Sequence, residues 1–264
     1  MKARLSRHAM LGTMTALLLL SLAIPAFAER LVASLSRHQV LITSSFTGTE
    51  IVLFGTVERD AQTVRRESGY DIVVSVFGPR QTLVTRRKGR ILGVWANVDS
   101  REFVDPPSFL AVLATKRLDS IAAPDMLRRQ QAGLDYVSLP QRMGTTNIEL
   151  APDDPFRMAF IRLKKEQGLY REEPTGVTFL TPTLFRAGIP LPATAPIGSY
   201  EVDVKLFADA AVIARTNSAF EIIKVGFEQF VAEAARDYGF FYGLATAMMA
   251  LLTGWLASVV FRRD

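Results

Sequence analysis

From Tyr238 to Phe261 the chain runs for 24 residues without a charge. A helix of that length, rising ~1.5 Å per residue, crosses a hydrocarbon core of ~30 Å with some tilt. Tyr238, Phe240, Phe241 and Tyr242 set aromatic rings at one interface, and Phe261 sits at the other, just before Arg262 and Arg263. Aromatic belts and the positive-inside bias place the preceding domain outside and the 262–264 tail in the cytoplasm. The transmembrane helix is therefore expected over 238–261.

One face of that helix is built of small residues. Gly239, Gly243, Ala247, Ala250, Gly254 and Ser258 recur at spacings of three and four, and at ~100° per residue they share an arc of about a third of the circumference. Small side chains let helix backbones approach closely, so this stripe reads as a helix-packing face. The bland alternative is that small residues are common in membrane spans.

The N-terminus carries a second apolar segment. Lys2, Arg4 and Arg7 form a basic region, Ala9 to Ile24 an apolar run, and Ala26-Phe27-Ala28 a small-x-small cleavage site. This pattern marks residues 1–28 as a signal peptide, with the mature chain starting at Glu29. The same topology follows from both ends of the chain. Trimming also changes the charge argument. The full chain has 31 Lys+Arg against 26 Asp+Glu; without residues 1–28 the balance is 28 to 26, and without the tail 26 to 25. A nearly neutral outer domain lacks the basic face that nucleic acid requires, so no nucleic-acid partner is expected.

The chain has no cysteine, which excludes disulfides and thiolate metal sites, and the outer domain must be held by its core alone. Residues 29–118 form a first β-rich region. Strands are read at Leu31–Leu35, Gln39–Thr43, Thr49–Val57, Tyr70–Phe77 and Phe109–Thr115, with a pair over Thr82–Thr85 and Ile91–Asn97 turning near Lys88-Gly89. Residues 119–172 read as a helical insertion. In it Asp153 or Asp154 caps a helix that opens at Pro155 and stops at Gly168. Residues 173–225 return to strands. Tyr200, Val202, Val204 and Leu206 alternate with Glu201, Asp203 and Lys205, the signature of a half-buried strand. The preceding Pro196-Ile197-Gly198-Ser199-Tyr200 turn and the short, regular strands point to a mainly β fold: an immunoglobulin-like β-sandwich of one or two domains with a helical insertion. Residues 226–237 read as an amphipathic juxtamembrane helix, with Phe227, Phe230, Val231, Ala234 and Ala235 on one side.

Several motifs stand in a recognisable order: Phe46-Thr47-Gly48, Leu53-Phe54-Gly55, Val76-Phe77-Gly78-Pro79, Arg87-Lys88-Gly89-Arg90, Gly93-Val94-Trp95-Ala96-Asn97, Leu184-Phe185-Arg186-Ala187 and the Pro196–Tyr200 turn. With Tyr238-Gly239 and Gly254-Trp255 they resemble a family of alphaproteobacterial transmembrane proteins, Alph_Pro_TM, over nearly all of the mature chain. The resemblance implies a single-pass protein of the bacterial inner membrane with its N-terminal domain in the periplasm, and no particular activity. Its relatives are often encoded beside sulfite-exporter-type permeases, a hint about transport.

Catalytic chemistry finds little support. The mature chain has one histidine, His38, in a turn and without a partner pattern. One histidine and no cysteine argue against zinc, and neither a cofactor nor a metal site is expected. Asp153-Asp154 reads as a helix cap and Glu172-Glu173 as a solvated loop. The densest basic cluster, Arg86, Arg87, Lys88 and Arg90, reads as an anion or lipid-headgroup contact or, more plainly, a solvated hairpin tip. Trp95 behind it is expected in the core. The functional expectation is a non-enzymatic interaction protein. It touches the bilayer and a membrane-protein partner, and the permease hint makes a transporter accessory subunit the expected form of that role. A self-associating homo-oligomer of the envelope is the second reading, and a membrane-anchored enzyme using carboxylates ranks last.

Overall fold

The computed structural model describes residues 29–59, 69–149, 151–226, 231 and 235–261. The expected signal peptide, most of the juxtamembrane segment and the Arg262-Arg263 pair lie outside them.

In chain order the elements are β1 (Arg30–Leu35), β2 (Gln39–Ile42), β3 (Gly48–Glu58), β4 (Asp71–Phe77), β5 (Leu83–Ile91), β6 (Val94–Phe103) and β7 (Leu110–Ala114). Two short helices follow, α1 (Leu118–Ile121) and α2 (Pro124–Arg129), then β8 (Gln141–Met143), β9 (Thr146–Ile148) and α3 (Pro155–Glu166). The outer domain finishes with β10 (Tyr170–Glu173), β11 (Val177–Phe179), β12 (Leu184–Pro192), β13 (Gly198–Ala208) and β14 (Ala211–Lys224), ahead of α4 (Gly239–Val260).

Three sheets result. A four-stranded sheet runs β1-β3-β12-β11, and a six-stranded sheet runs β10-β7-β4-β13-β14-β2. The period-2 pattern of β3 buries Ile51, Leu53 and Val57, and these pack with Val74, Val76, Val202 and Val204 of the larger sheet in one core. Burying each such side chain fully stabilises by roughly 1.5–3 kcal/mol. Gly55 leaves room for the Phe185 ring of its paired strand; a Cβ there would meet the ring 2.2 Å away. The third sheet, β5-β6-β8-β9, stands apart from this pair.

The segment expected to be helical also carries β8 and β9, and its last residues form β10, paired in parallel with β7. Of the two candidate caps Asp154 is the one used: its carboxylate accepts from the backbone N–H of Arg157 at 2.8 Å, with Pro155 at the first helical position. Gly168, at φ +71°, takes the left-handed conformation just past the helix end.

Three local expectations are corrected. The β5–β6 hairpin turns at Leu92-Gly93, with φ of 49° and 87°, not at Lys88-Gly89. And β13 is not half-buried: Asp203 and Lys205 are 2% and 1% exposed. The 118–134 segment, which carries α1 and α2 and buries Leu118, Ile121, Leu127 and Leu134, lies over their face of the six-stranded sheet, with Arg129, Gln130 and Gln131 beside Asp203. The Glu172 carboxylate of β10 accepts from the backbone N–H of Leu134 at 3.1 Å, tying that cover to the sheet. Glu172 and Glu173 thus sit in a strand rather than a loop.

Candidate interaction surfaces

The β5–β6 ribbon is held at its base by α3. Phe103 of β6 packs its ring 4.6 Å from that of Phe160, and the Arg101 guanidinium lies 5.0 Å over the Phe156 ring. Arg157 fixes α3 in turn. Its buried guanidinium donates to the carbonyls of Asp135 at 3.0 Å and Val137 at 2.7 Å, and to the Glu149 carboxylate at 3.0 Å. Beyond this base the ribbon has solvent on most sides.

The four basic residues singled out from the sequence all lie on β5 and are exposed. Arg87 pairs with Asp99 across the ribbon at 3.7 Å, and the Arg90 guanidinium lies 5.7 Å over the Trp95 ring. They form the shoulder of the hairpin, not its tip. The tip is apolar: Ile91 is 53% exposed, Leu92 100%, Val94 69% and Trp95 65%. Trp95, expected in the core, is outside because the turn falls four residues later than the Lys88-Gly89 signal suggested, on a ribbon that no layer among the described residues covers.

β5 is also the free edge of its sheet. Between Thr85–Lys88 and one flank of α3 lies a groove of about 360 Å³, floored by Pro155, Phe156, Ala159 and Leu163. Arg86, Arg87, Lys88 and Arg162 are its only charged lining residues.

The small residues of α4 share one face as expected. Among the described residues, and apart from the helix's own nearby backbone, no atom lies within 4 Å of a Cβ built on Gly239, Gly243 or Gly254, and every side chain of the helix is exposed. Gly239–Val260 is long and apolar enough to cross a membrane.

A buried ion cluster escaped the sequence reading. The Asp203 carboxylate takes hydrogen bonds from Lys205 Nζ, from Arg215 Nε at 2.6 Å and from Arg215 Nη2 at 3.0 Å. Burial pulls the Lys205 ammonium below the usual lysine range, against the opposing pull of Asp203. Arg80, Arg129 and Glu201 stand around a polar cavity of about 230 Å³ beside it. His38, by contrast, is exposed, and its backbone carbonyl accepts from the Glu221 N–H at 2.9 Å. Among the described residues no three of His, Cys, Asp and Glu come together as a metal site.

The family model described as "Putative transmembrane protein (Alph_Pro_TM)" matches residues 30–263. No curated protein matches the sequence. Among solved structures, the N-terminal domain of the Streptococcus gordonii adhesin Sgo0707 superposes with a TM-score of 0.27 at 9% identity, over 74% of this chain and 32% of that one. The chain thus spans about a third of that structure, and a likeness this loose carries no argument.

Proposed function

Because the chain belongs to the Alph_Pro_TM family of transmembrane proteins, we propose that it is a single-span protein of the bacterial inner membrane whose periplasmic, immunoglobulin-like domain serves a membrane-protein partner, as an accessory subunit of a transporter. The observation that carries this reading is the face of α4. Gly239, Gly243, Ala247, Ala250, Gly254 and Ser258 fall on one side of a helix that packs on no other described residue. Small residues at such a face favour close helix–helix contact in lipid, where apolar burial alone gives no drive to associate.

The outer domain suits a binding role better than a catalytic one. The most exposed apolar side chains among its described residues, Leu92, Val94 and Trp95, gather at one hairpin tip. Mild-detergent purification of the tagged chain from native membranes, with mass spectrometry, tests the proposal. A stoichiometric polytopic partner is expected from the parent chain and should be lost from Gly243→Leu and Gly254→Leu. Recovery of a homo-oligomer alone would favour a self-associating envelope protein using the same face. Retention of the partner by both variants would sink the packing role of α4.

A further inference from the structure

We propose that the β5–β6 hairpin is a lipid-docking device. Its apolar tip enters an anionic bilayer surface while Arg86 and Lys88 hold phospholipid headgroups at the β5–α3 groove.

The argument starts at the turn. A two-residue hairpin turn with both central residues at positive φ favours Asn-Gly or Asp-Gly, because a Cβ is strained there. This chain places Leu92 at φ 49°, wholly exposed. The leucine strains its backbone, and its wholly exposed side chain gains no burial among the described residues to compensate. Ile91, Val94 and Trp95 likewise leave most of their apolar surface in water on the flanking positions. A contiguous apolar patch at the end of a projecting ribbon marks a surface that is covered in use.

What covers it follows from the charge. Immediately behind the tip stand Arg86, Arg87, Lys88 and Arg90, and Arg162 of α3 completes the groove, with no carboxylate among the groove's lining residues. Arg87 answers Asp99, and Arg162 answers Glu166 at 3.4 Å. Among the described residues Arg86 and Lys88 have no ion-pair partner. Lysine or arginine on an edge strand also deters strand pairing, but that need does not explain an apolar tip beside it. An apolar point, a tryptophan with a cation on its ring, a cationic collar and an apolar groove floor match the depth profile of an anionic leaflet: acyl chains, interface, headgroups. A protein that spans a bilayer through α4 meets such a surface.

Trp95 and Trp255 are the two tryptophans of the chain, so Trp255→Phe leaves Trp95 as the sole reporter. The full chain carrying that change is reconstituted into nanodiscs of phosphatidylcholine, with or without phosphatidylglycerol, and with brominated acyl chains. In phosphatidylglycerol discs Trp95 emission is expected to shift to the blue and to be quenched by the brominated chains. Arg86→Gln with Lys88→Gln, at exposed positions, should leave the circular-dichroism spectrum and melting transition unchanged and weaken the docking equilibrium by roughly thirtyfold. Trp95 emission at its water-exposed wavelength in every disc overturns the proposal. Equal quenching with and without phosphatidylglycerol overturns the role of the basic collar. Shielding from iodide without quenching by brominated chains also overturns it, and points to a protein surface over the tip. Because the co-purification test reads α4 and this one reads the hairpin, either can fail alone.

Discussion

The hydroxyl of Tyr200 donates to the carbonyl of Pro196, four residues upstream, at 2.6 Å. The Tyr200 ring is stacked 4.9 Å from Phe220 and lies 5.6 Å from Phe109. This hydrogen bond and the ring contacts weld the turn ahead of β13 to the core. Tyr200→Phe keeps the ring and strands one carbonyl, so it should cost about 1–2 kcal/mol in urea unfolding.

Alkaline pH should act through the same side chain. Burial raises the Tyr200 and Tyr170 phenols above their ordinary value of 10.0, and the Tyr170 hydroxyl also donates to the Pro107 carbonyl at 2.7 Å. With the folded pKa raised, the folded state keeps a proton that the unfolded state releases above pH 10, so stability falls as pH rises past that point. A phenolate absorbance titration is expected to show these two tyrosines ionising only as the domain unfolds. Tyr170→Phe and Tyr200→Phe should each flatten the decline.

Asp203→Asn should be the more damaging change, since it leaves Lys205 buried without its counter-charge. A loss of about 3–5 kcal/mol is expected. Lys205→Met should cost less, because Arg215 still answers Asp203. The double variant should recover much of the loss, and a double-mutant cycle measured by thermal unfolding reads the coupling directly.

Leu92→Asn places a residue that tolerates positive φ at the hairpin turn. It should stabilise the hairpin locally by up to ~1 kcal/mol, seen as slower amide exchange at Gly93 and Val94. It should also shorten the apolar tip and reduce lipid quenching of Trp95.

The regular strands were legible because their own residues encode them: the alternation in β3 and the valine run in β4 leave few other readings. The hairpin turn was not. Lys88-Gly89 has turn chemistry, yet Gly89 is small for a different reason. A Cβ there would meet the Val98 side chain at 2.9 Å, beside the register shift that falls between Arg87 and Lys88. The true turn uses a leucine that no turn preference would nominate. Alternation in β13 told which residues share a face, but not that α1 and α2, some 80 residues earlier in sequence, would cover it, so the Asp203–Lys205 pair read as solvated. The stripe on α4 was legible because 3.6-residue periodicity needs no tertiary knowledge. The basic cluster was found, but its apolar neighbours became meaningful only once the ribbon was seen to project.

The last strand before the anchor has a mechanical consequence. β14 is paired along its length with β13, and near its end Glu221–Lys224 pair with Gln39–Ile42 of β2, running parallel. Backbone hydrogen bonds lie across a strand's axis. A pull applied along the axis of β14 loads the bonds to both neighbours together, rather than peeling them one by one. The domain therefore grips its tether in shear, the direction in which a sheet resists force best.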